Sequence, residues 1–248
     1  MNKTILITGA TSGIGKATAI HFAALGARLI LCGRRQERLN QLKNELPSEV
    51  HILNFDVRDR AAVFEAIESL PQTFEQIDVL INNAGNAHGL DDVIEANLDD
   101  WDAMIDGNVK GVMYVTKAVL PLMTKRKSGH IINVGSIAGL EVYPKGNVYC
   151  SSKFAVNAFT QGLRLDLNPI GIRVGAVHPG LVETEFSEVR FKGDIDRAKS
   201  VYNQLHALQA EDIANTIAFM VNAPEHVTIA DITVLPTAQA NATVLNKK

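Results

Sequence analysis

Two cysteines in 248 residues, Cys32 and Cys150, are too few for a disulfide framework. Neither has the spacing of a metal ligand, and no Cys/His/carboxylate cluster does. The expectation is a chain with reduced thiols, in the cytoplasm, without a metal. No apolar run approaches the roughly 18 residues of a membrane span, and Ile5-Leu6-Ile7 is too short for the core of a signal peptide. A dominant sign of charge is missing as well. Lys and Arg number 24 against 27 Asp and Glu, interspersed, for a net charge of −3, which argues against nucleic acid as the main partner. Repeats, low-complexity tracts and Pro/Ser-rich linkers are absent. Hydrophobic residues make up 46% and charged residues 21%, the balance of an ordinary soluble globular protein. A single domain over residues 1–248 is expected.

What is present is a rhythm. Runs rich in Ile, Leu and Val at 4–8, 28–32, 50–55, 78–82, 130–135, 172–178 and 228–234 read as buried strands. Segments of helical periodicity, such as 14–25, 36–46, 59–70 and 149–167, alternate with them, and Ala210-Glu211-Asp212 opens a further helix. This alternation predicts an α/β fold with parallel strands joined by right-handed helical crossovers, helices lying on both faces. It is a doubly wound Rossmann sheet of about seven strands with its site at the carboxyl edge. From Glu183 to about His206 the rhythm breaks into a charged stretch without strand character, expected as an insertion covering that edge. The tail after Pro236 carries no clear pattern.

Gly9-Ala10-Thr11-Ser12-Gly13-Ile14-Gly15 follows the first strand and opens the first helix. Gly9 suits a tight turn, Gly13 lets backbone approach a pyrophosphate, and Gly15 permits close helix packing. The helix N-terminus adds free N–H groups and a positive dipole end. An NAD site would place Asp or Glu at the end of the second strand. Here the strand ends Leu31-Cys32-Gly33-Arg34-Arg35, and two guanidiniums stand where a 2′-phosphate would lie, so NADP is the expected cofactor. Asp56, beside the apolar Val57, ends the third strand, where its carboxylate would accept the adenine amino group. Asn82-Asn83-Ala84-Gly85 ends the fourth, either tying strands together or contacting the cofactor directly.

Tyr149 and Lys153, at i and i+4, lie on one face of a predicted helix. A tyrosine pKa of about 10 must fall roughly 3 units, about 4 kcal/mol, for the phenol to accept protons at neutral pH. An ammonium about 4 Å away at an effective dielectric of about 20 supplies that much. Taken alone, the pair is either a proton-transfer device, read together with Ser136 upstream, or an amphipathic surface pair without chemistry.

Taken in order, Thr8 to Gly15, Asn82 to Gly85, Asn108, Gly135-Ser136, Tyr149 with Lys153, and Pro179-Gly180 with Thr184 resemble the short-chain dehydrogenase/reductase superfamily over nearly the whole chain. The resemblance implies Tyr149 as general acid/base and Lys153 as the group that depresses its pKa and binds the nicotinamide ribose. It implies Ser136 as the donor to the substrate oxygen, and Asn108 as support for a water linking Lys153 to solvent. Pro179, Gly180 and Val182 would flank the nicotinamide, with Thr184 near its amide or the phosphates. A homotetramer is implied too.

Gly33 to Leu39, Gly146 to Tyr149 and Val189 to Asp194 resemble more narrowly the NADP-dependent 3-hydroxy acid dehydrogenases, a branch that includes serine and L-allo-threonine dehydrogenases and malonic semialdehyde reductases. The implied reaction moves a hydride between NADP and the 3-hydroxyl or 3-oxo carbon of a small acid. Arg190, with or without Lys192, is expected to hold the acid's carboxylate. Two other readings stand beside it: a broad NADPH carbonyl reductase, and a nucleotide sensor without turnover. Glu183 would repel an acidic substrate or attract an ammonium. His88, in the loop after Asn83, either lines the pocket or is an ordinary loop residue, and His178 is expected to be a hydrogen-bonded structural residue.

Overall fold

A computed structural model describes residues 1–246. Seven parallel strands form one sheet in the order β3-β2-β1-β4-β5-β6-β7. They are β1 Thr4–Thr8, β2 Arg28–Gly33, β3 Val50–Asn54, β4 Val79–Asn82, β5 Gly129–Val134, β6 Ile172–Pro179 and β7 Asp231–Val234. The helices are α1 Gly13–Ala24, α2 Gln36–Glu45, α3 Arg60–Glu68, α4 Leu98–Ile105, α5 Gly111–Arg126, α6 Asn147–Leu167, α7 Phe186–Arg190, α8 Ile195–Ser200 and α9 Ala210–Asn222.

The period of two along each strand divides the core. Ile5, Ile7, Leu29, Leu31 and Ile81 pack on one face against Phe22 of α1, Leu39 of α2 and Ile213 and Ile217 of α9. Leu6, Ile30, Leu80 and Ile131 point the other way, onto Val63 of α3, Val115 and Val119 of α5 and Leu163 of α6. Both faces are buried, so the strands read as continuous apolar runs. Chain order reverses between β1 and β4, and the loops leaving their carboxyl ends diverge there. That divergence opens the crevice where doubly wound folds hold ligands.

Polar rungs join the strands beneath this crevice. Asn82 donates to Thr116 Oγ1 (2.9 Å) and Asn133 Oδ1 (2.9 Å), and Asn133 donates to Thr160 Oγ1 (2.8 Å). Thr8 Oγ1 accepts the N–H groups of Asn83 (3.0 Å) and Ala84 (3.0 Å), while Asn83 Nδ2 reaches Thr8 O at 2.9 Å. The amides thus act as ties between β1, β4 and β5, and Asn83 also borders the crevice. His178 is buried with Nε2 3.1 Å from Asp231, the structural placement expected of it.

The predicted strands and helices fall within a few residues of the observed ones. The largest shift is β7, which pairs only from Asp231. The insertion after β6 holds two short helices, α7 and α8. The tail after Pro236, patternless in sequence, folds back to the site. Gln239 is buried there, and its side-chain oxygen accepts the N–H of Leu181 at 2.9 Å.

Candidate active site

A cleft of about 480 Å³ runs along the carboxyl edge of the sheet, from the end of β2 to the start of α6. Its floor is the β1–α1 loop. Gly9 and Gly13 hold positive φ (65° and 49°), and a Cβ on Gly9 would stand 2.9 Å from Asn83 Nδ2, so both demand glycine. Thr11, Ser12, Gly13 and Ile14 line the cleft, and the N-terminal turn of α1 carries no acidic residue. Anions are therefore unopposed at this helix end. Gly15 lies beneath the cleft wall, where a Cβ would come within 2.3 Å of Gly9 O. Ala10, expected at the cofactor, is instead buried in the core beneath the loop and pins it by donating to Cys32 O at 3.1 Å.

The arginines divide their work differently from expectation. Arg34, 65% exposed in its side chain, lies 3.6 Å from Asp56 and keeps most of its donors open to the cleft. Arg35 is committed to the protein. Its Nε (3.0 Å) and Nη2 (2.8 Å) donate to Thr11 Oγ1, Nη2 also reaches Ser12 Oγ (2.7 Å), and Nη1 meets Glu185 at 2.8 Å. Arg38 takes the other oxygen of Glu185 at 2.6 Å. Burial pushes the Glu185 carboxyl up, but Arg35 and Arg38 outweigh it and hold it below the ordinary range. Asp56 borders the cleft but is gripped by Arg58 through Nε (3.1 and 3.0 Å) and Nη2 (2.7 Å), so its carboxylate is less available to an adenine amino group than its position suggested. Val57 lines the cleft beside it and packs on Gly111.

At the far end stand Ser136, Tyr149, Lys153 and Asn108. Ser136 follows β5 and caps a short helical turn by accepting Ala138 N–H at 3.0 Å. Tyr149 sits in the first turn of α6, its ring edge-on to Phe186 at 5.6 Å. Burial pushes its phenol well up, Tyr143 adds to this, and a hydrogen bond with Ser136 and the Arg190 charge act against it. Lys153 follows one turn later on α6. Its Nζ is 6.0 Å from the ring centroid and donates to Val134 O at 3.0 Å. The carbonyl closing β5 offers this buried ammonium a better partner than the ring, and burial lowers its pKa to about 8. The protein alone therefore leaves Tyr149 protonated at neutral pH.

Asn108 lies in a π-helical segment, Asp106–Lys110, that joins α4 to α5. Its side chain accepts Asn86 N–H (2.7 Å) and donates to Asn86 O (2.8 Å) and Ser152 Oγ (3.0 Å). It braces the loop after β4 against α6 and makes no hydrogen bond to Lys153. Gly85 fits between them, since a Cβ there would be 2.9 Å from Asn108 Oδ1 and 3.7 Å from Lys153 Nζ.

The insertion completes the wall. Pro179, Gly180, Val182 and Thr184 border the cleft, and Thr184 also covers Gly13. Arg190, at the end of α7, places its guanidinium carbon 5.8 Å from the Tyr149 ring and 5.6 Å from the Tyr143 ring, with Nε donating to Gly89 O at 3.1 Å. Lys192 does not join it. It pairs with Asp100 at 2.8 Å, away from the cleft wall. Glu183 is outside as well, its backbone N–H on Leu208 O and its carboxylate 3.5 Å from Gln209. His88 does line the cleft, and burial lowers its pKa despite the opposing charge of Asp100. Glu185, Tyr143 and Gln239 were not foreseen. Glu185 directly follows Thr184 and Tyr143 stands between Ser136 and Tyr149, but no local pattern marks them or Gln239.

The sequence profile of the family described as short chain dehydrogenase matches residues 3–194. An NADP-dependent 3-hydroxy acid dehydrogenase of Escherichia coli is 45% identical, with 96% of each chain covered. A counterpart of the same description from Schizosaccharomyces pombe is 48% identical, covering 99% of this chain and 97% of that one. Among solved structures, the closed form of a serine dehydrogenase complexed with NADP+ superposes with a TM-score of 0.95 at 44% identity, covering 99% of both chains. Among the described residues no group of three or more His, Cys, Asp or Glu is arranged to hold a metal, and no helix is long and apolar enough to cross a membrane.

Proposed function

Because the chain belongs to the short-chain dehydrogenase family and is thus an NADP-dependent oxidoreductase acting on CH–OH donors, we propose that it interconverts small 3-hydroxy acids and their 3-oxo forms. The observation that carries this reading is Arg190. Lys153 is engaged by Val134 O, whereas the Arg190 guanidinium stands within 5.8 Å of the Tyr149 ring, where the carboxylate of a short acid would lie.

The glycine loop, the acid-free end of α1 and the open Arg34 suit a dinucleotide with a 2′-phosphate. NADP supplies the hydride donor or acceptor when bound. Ser136 donates a hydrogen bond to the substrate oxygen and so polarises the carbonyl. Tyr149, protonated at neutral pH, gives its proton to that oxygen during reduction and takes one back during oxidation. Lys153, held by Val134 O, presents its charge beside the ring and binds the ribose end of the cofactor. Asn108 keeps the Asn86 loop and α6 in register, and supports the solvent path by which Lys153 is reprotonated. Pro179, Gly180, Val182 and Thr184 wall the nicotinamide side. The same reading carries a homotetramer in the cytoplasm, which a mass of four chains in sedimentation equilibrium would support.

Two substitutions test the ends of the cleft separately. Arg190→Gln should raise KM for 3-hydroxypropionate or serine about 10- to 100-fold, the value of a hydrogen bond to a charged group, and leave a neutral alcohol nearly unaffected. Equal losses on both substrates would remove Arg190 from carboxylate binding. Arg34→Ala should weaken NADPH by a similar factor in a fluorescence titration, with NADH unchanged. If NADH weakens as much, Arg34 does not read the phosphate.

A further inference from the structure

We propose that Glu185 is a positioning residue that couples the 2′-phosphate clamp to the substrate's carboxylate site, an inference that rests on the 3-hydroxy acid reading above. Glu185 caps the start of α7, and Arg190 ends it five residues later. One end of this short rod therefore carries an anion and the other a cation. The anion is docked on the nucleotide end of the cleft, with Oε2 on Arg35 (2.8 Å) and Oε1 on Arg38 (2.6 Å). The cation stands over Tyr149 at 5.8 Å and is tied to the loop after β4, where Gly89 O accepts Arg190 Nε and Gly89 N–H donates to Arg190 O at 2.9 Å. Between them Phe186 packs on Tyr149, and the buried Ser187 hydroxyl meets Tyr202 OH at 2.7 Å. With one turn of helix between its ends, α7 cannot shift at Glu185 without moving Arg190.

The charges at the docked end point to the cofactor. Arg34, Arg35, Arg38 and Arg58 carry four positive charges, and Glu185 and Asp56 return two negative. The excess of two matches a phosphate monoester, about −1.5 to −2 at neutral pH. Thr11 and Ser12 accept hydrogen bonds from Arg35 and keep their own hydroxyl hydrogens for an anion. A 2′-phosphate thus balances the cluster with Glu185 in place, whereas NAD leaves it unbalanced. Arg35 is a strut between the phosphate loop and α7 as much as a phosphate ligand.

Full-length Glu185→Gln, Arg38→Gln and the double variant decide this. Each single variant should raise KM for the hydroxy acid with NADP about 10-fold, within the usual range for coupled sites, and leave kcat within about twofold. The double variant should lose no more than the worse single one, because both substitutions break the same contact. In the presence of NADPH, trypsin should cut the segment 183–206 of the variants about 10-fold faster than that of the wild type. An unchanged KM, an additive double variant, or an equal rise for a neutral ketone would overturn the coupling. If the wild type turns over no hydroxy acid, the functional reading fails instead. The tryptic comparison then decides the contact, and equal cutting of wild type and Glu185→Gln refutes it.

Discussion

Tyr149→Phe should bind NADPH with near-normal affinity in a fluorescence titration and lose about 10²- to 10⁴-fold in kcat, the usual worth of a placed general acid. The substitution removes one hydroxyl and keeps the ring, so the edge-on packing with Phe186 survives. What disappears is the phenol hydroxyl that Ser136 acts on in the cleft. Burial holds that phenol protonated at neutral pH, so reduction finds its proton donor ready and oxidation must first remove the proton. Oxidation by the wild type should accordingly gain rate with rising pH, and reduction should lose it. Turnover in Tyr149→Phe at the wild-type rate would falsify the assignment.

Lys153→Met should lose two or more orders of magnitude in kcat yet make the cofactor-free protein more stable at pH 7. The lysine is buried, and its pKa lies at about 8 in the fold against 10.5 in the unfolded chain. Between those values the unfolded state binds more protons, so wild-type stability rises with pH there. Below pH 8 the cost of burying the ammonium is fully present, about 3 kcal/mol by linkage. Above pH 10.5 the amine is neutral in both states and the cost is gone. The variant forfeits the ammonium's hydrogen bond to Val134 O, about 2 kcal/mol, and keeps a net gain of about 1 kcal/mol at pH 7. Urea unfolding of both proteins at pH 7 and pH 10.5 checks this. The advantage should vanish at the higher pH. A variant less stable than wild type at pH 7 would show that the ammonium is well solvated where it sits. A stability gain from deleting a reactive group is the sign of a residue retained for function.

The elements that were legible beforehand share one property: their causes are local. Strand runs such as Thr4–Thr8 need only a period of two and burial on both faces. The glycines at positions 9 and 13 need only a positive φ, which few other residues accept. Tyr149 and Lys153 are neighbours because a helix makes them so. Their relation is a different matter. Helical spacing puts the side chains on one face, but the carbonyl of Val134, contributed by another strand, decides where the ammonium goes. In the chain without cofactor, burial therefore pushes the Tyr149 phenol up, and the ammonium does not offset it. Arg35 shows the same limit: at a strand end it reads as a free phosphate ligand, and only Glu185, 150 positions later, shows its second engagement.

The α/β alternation, the phosphate loop, the absence of an acid after β2 and the order of the motifs were sufficient for the sheet and the preference for NADP. Each follows from interactions within a few residues or from side-chain chemistry alone. The protonation states, the commitment of Arg35 and Arg38 to Glu185, the exclusion of Glu183 and Lys192, and the seat of Arg190 over Tyr149 depend on desolvation and on partners distant in the chain. Burial and Coulomb energy are set by what folds against a group, so these properties came into being only when α7 closed over the carboxyl edge.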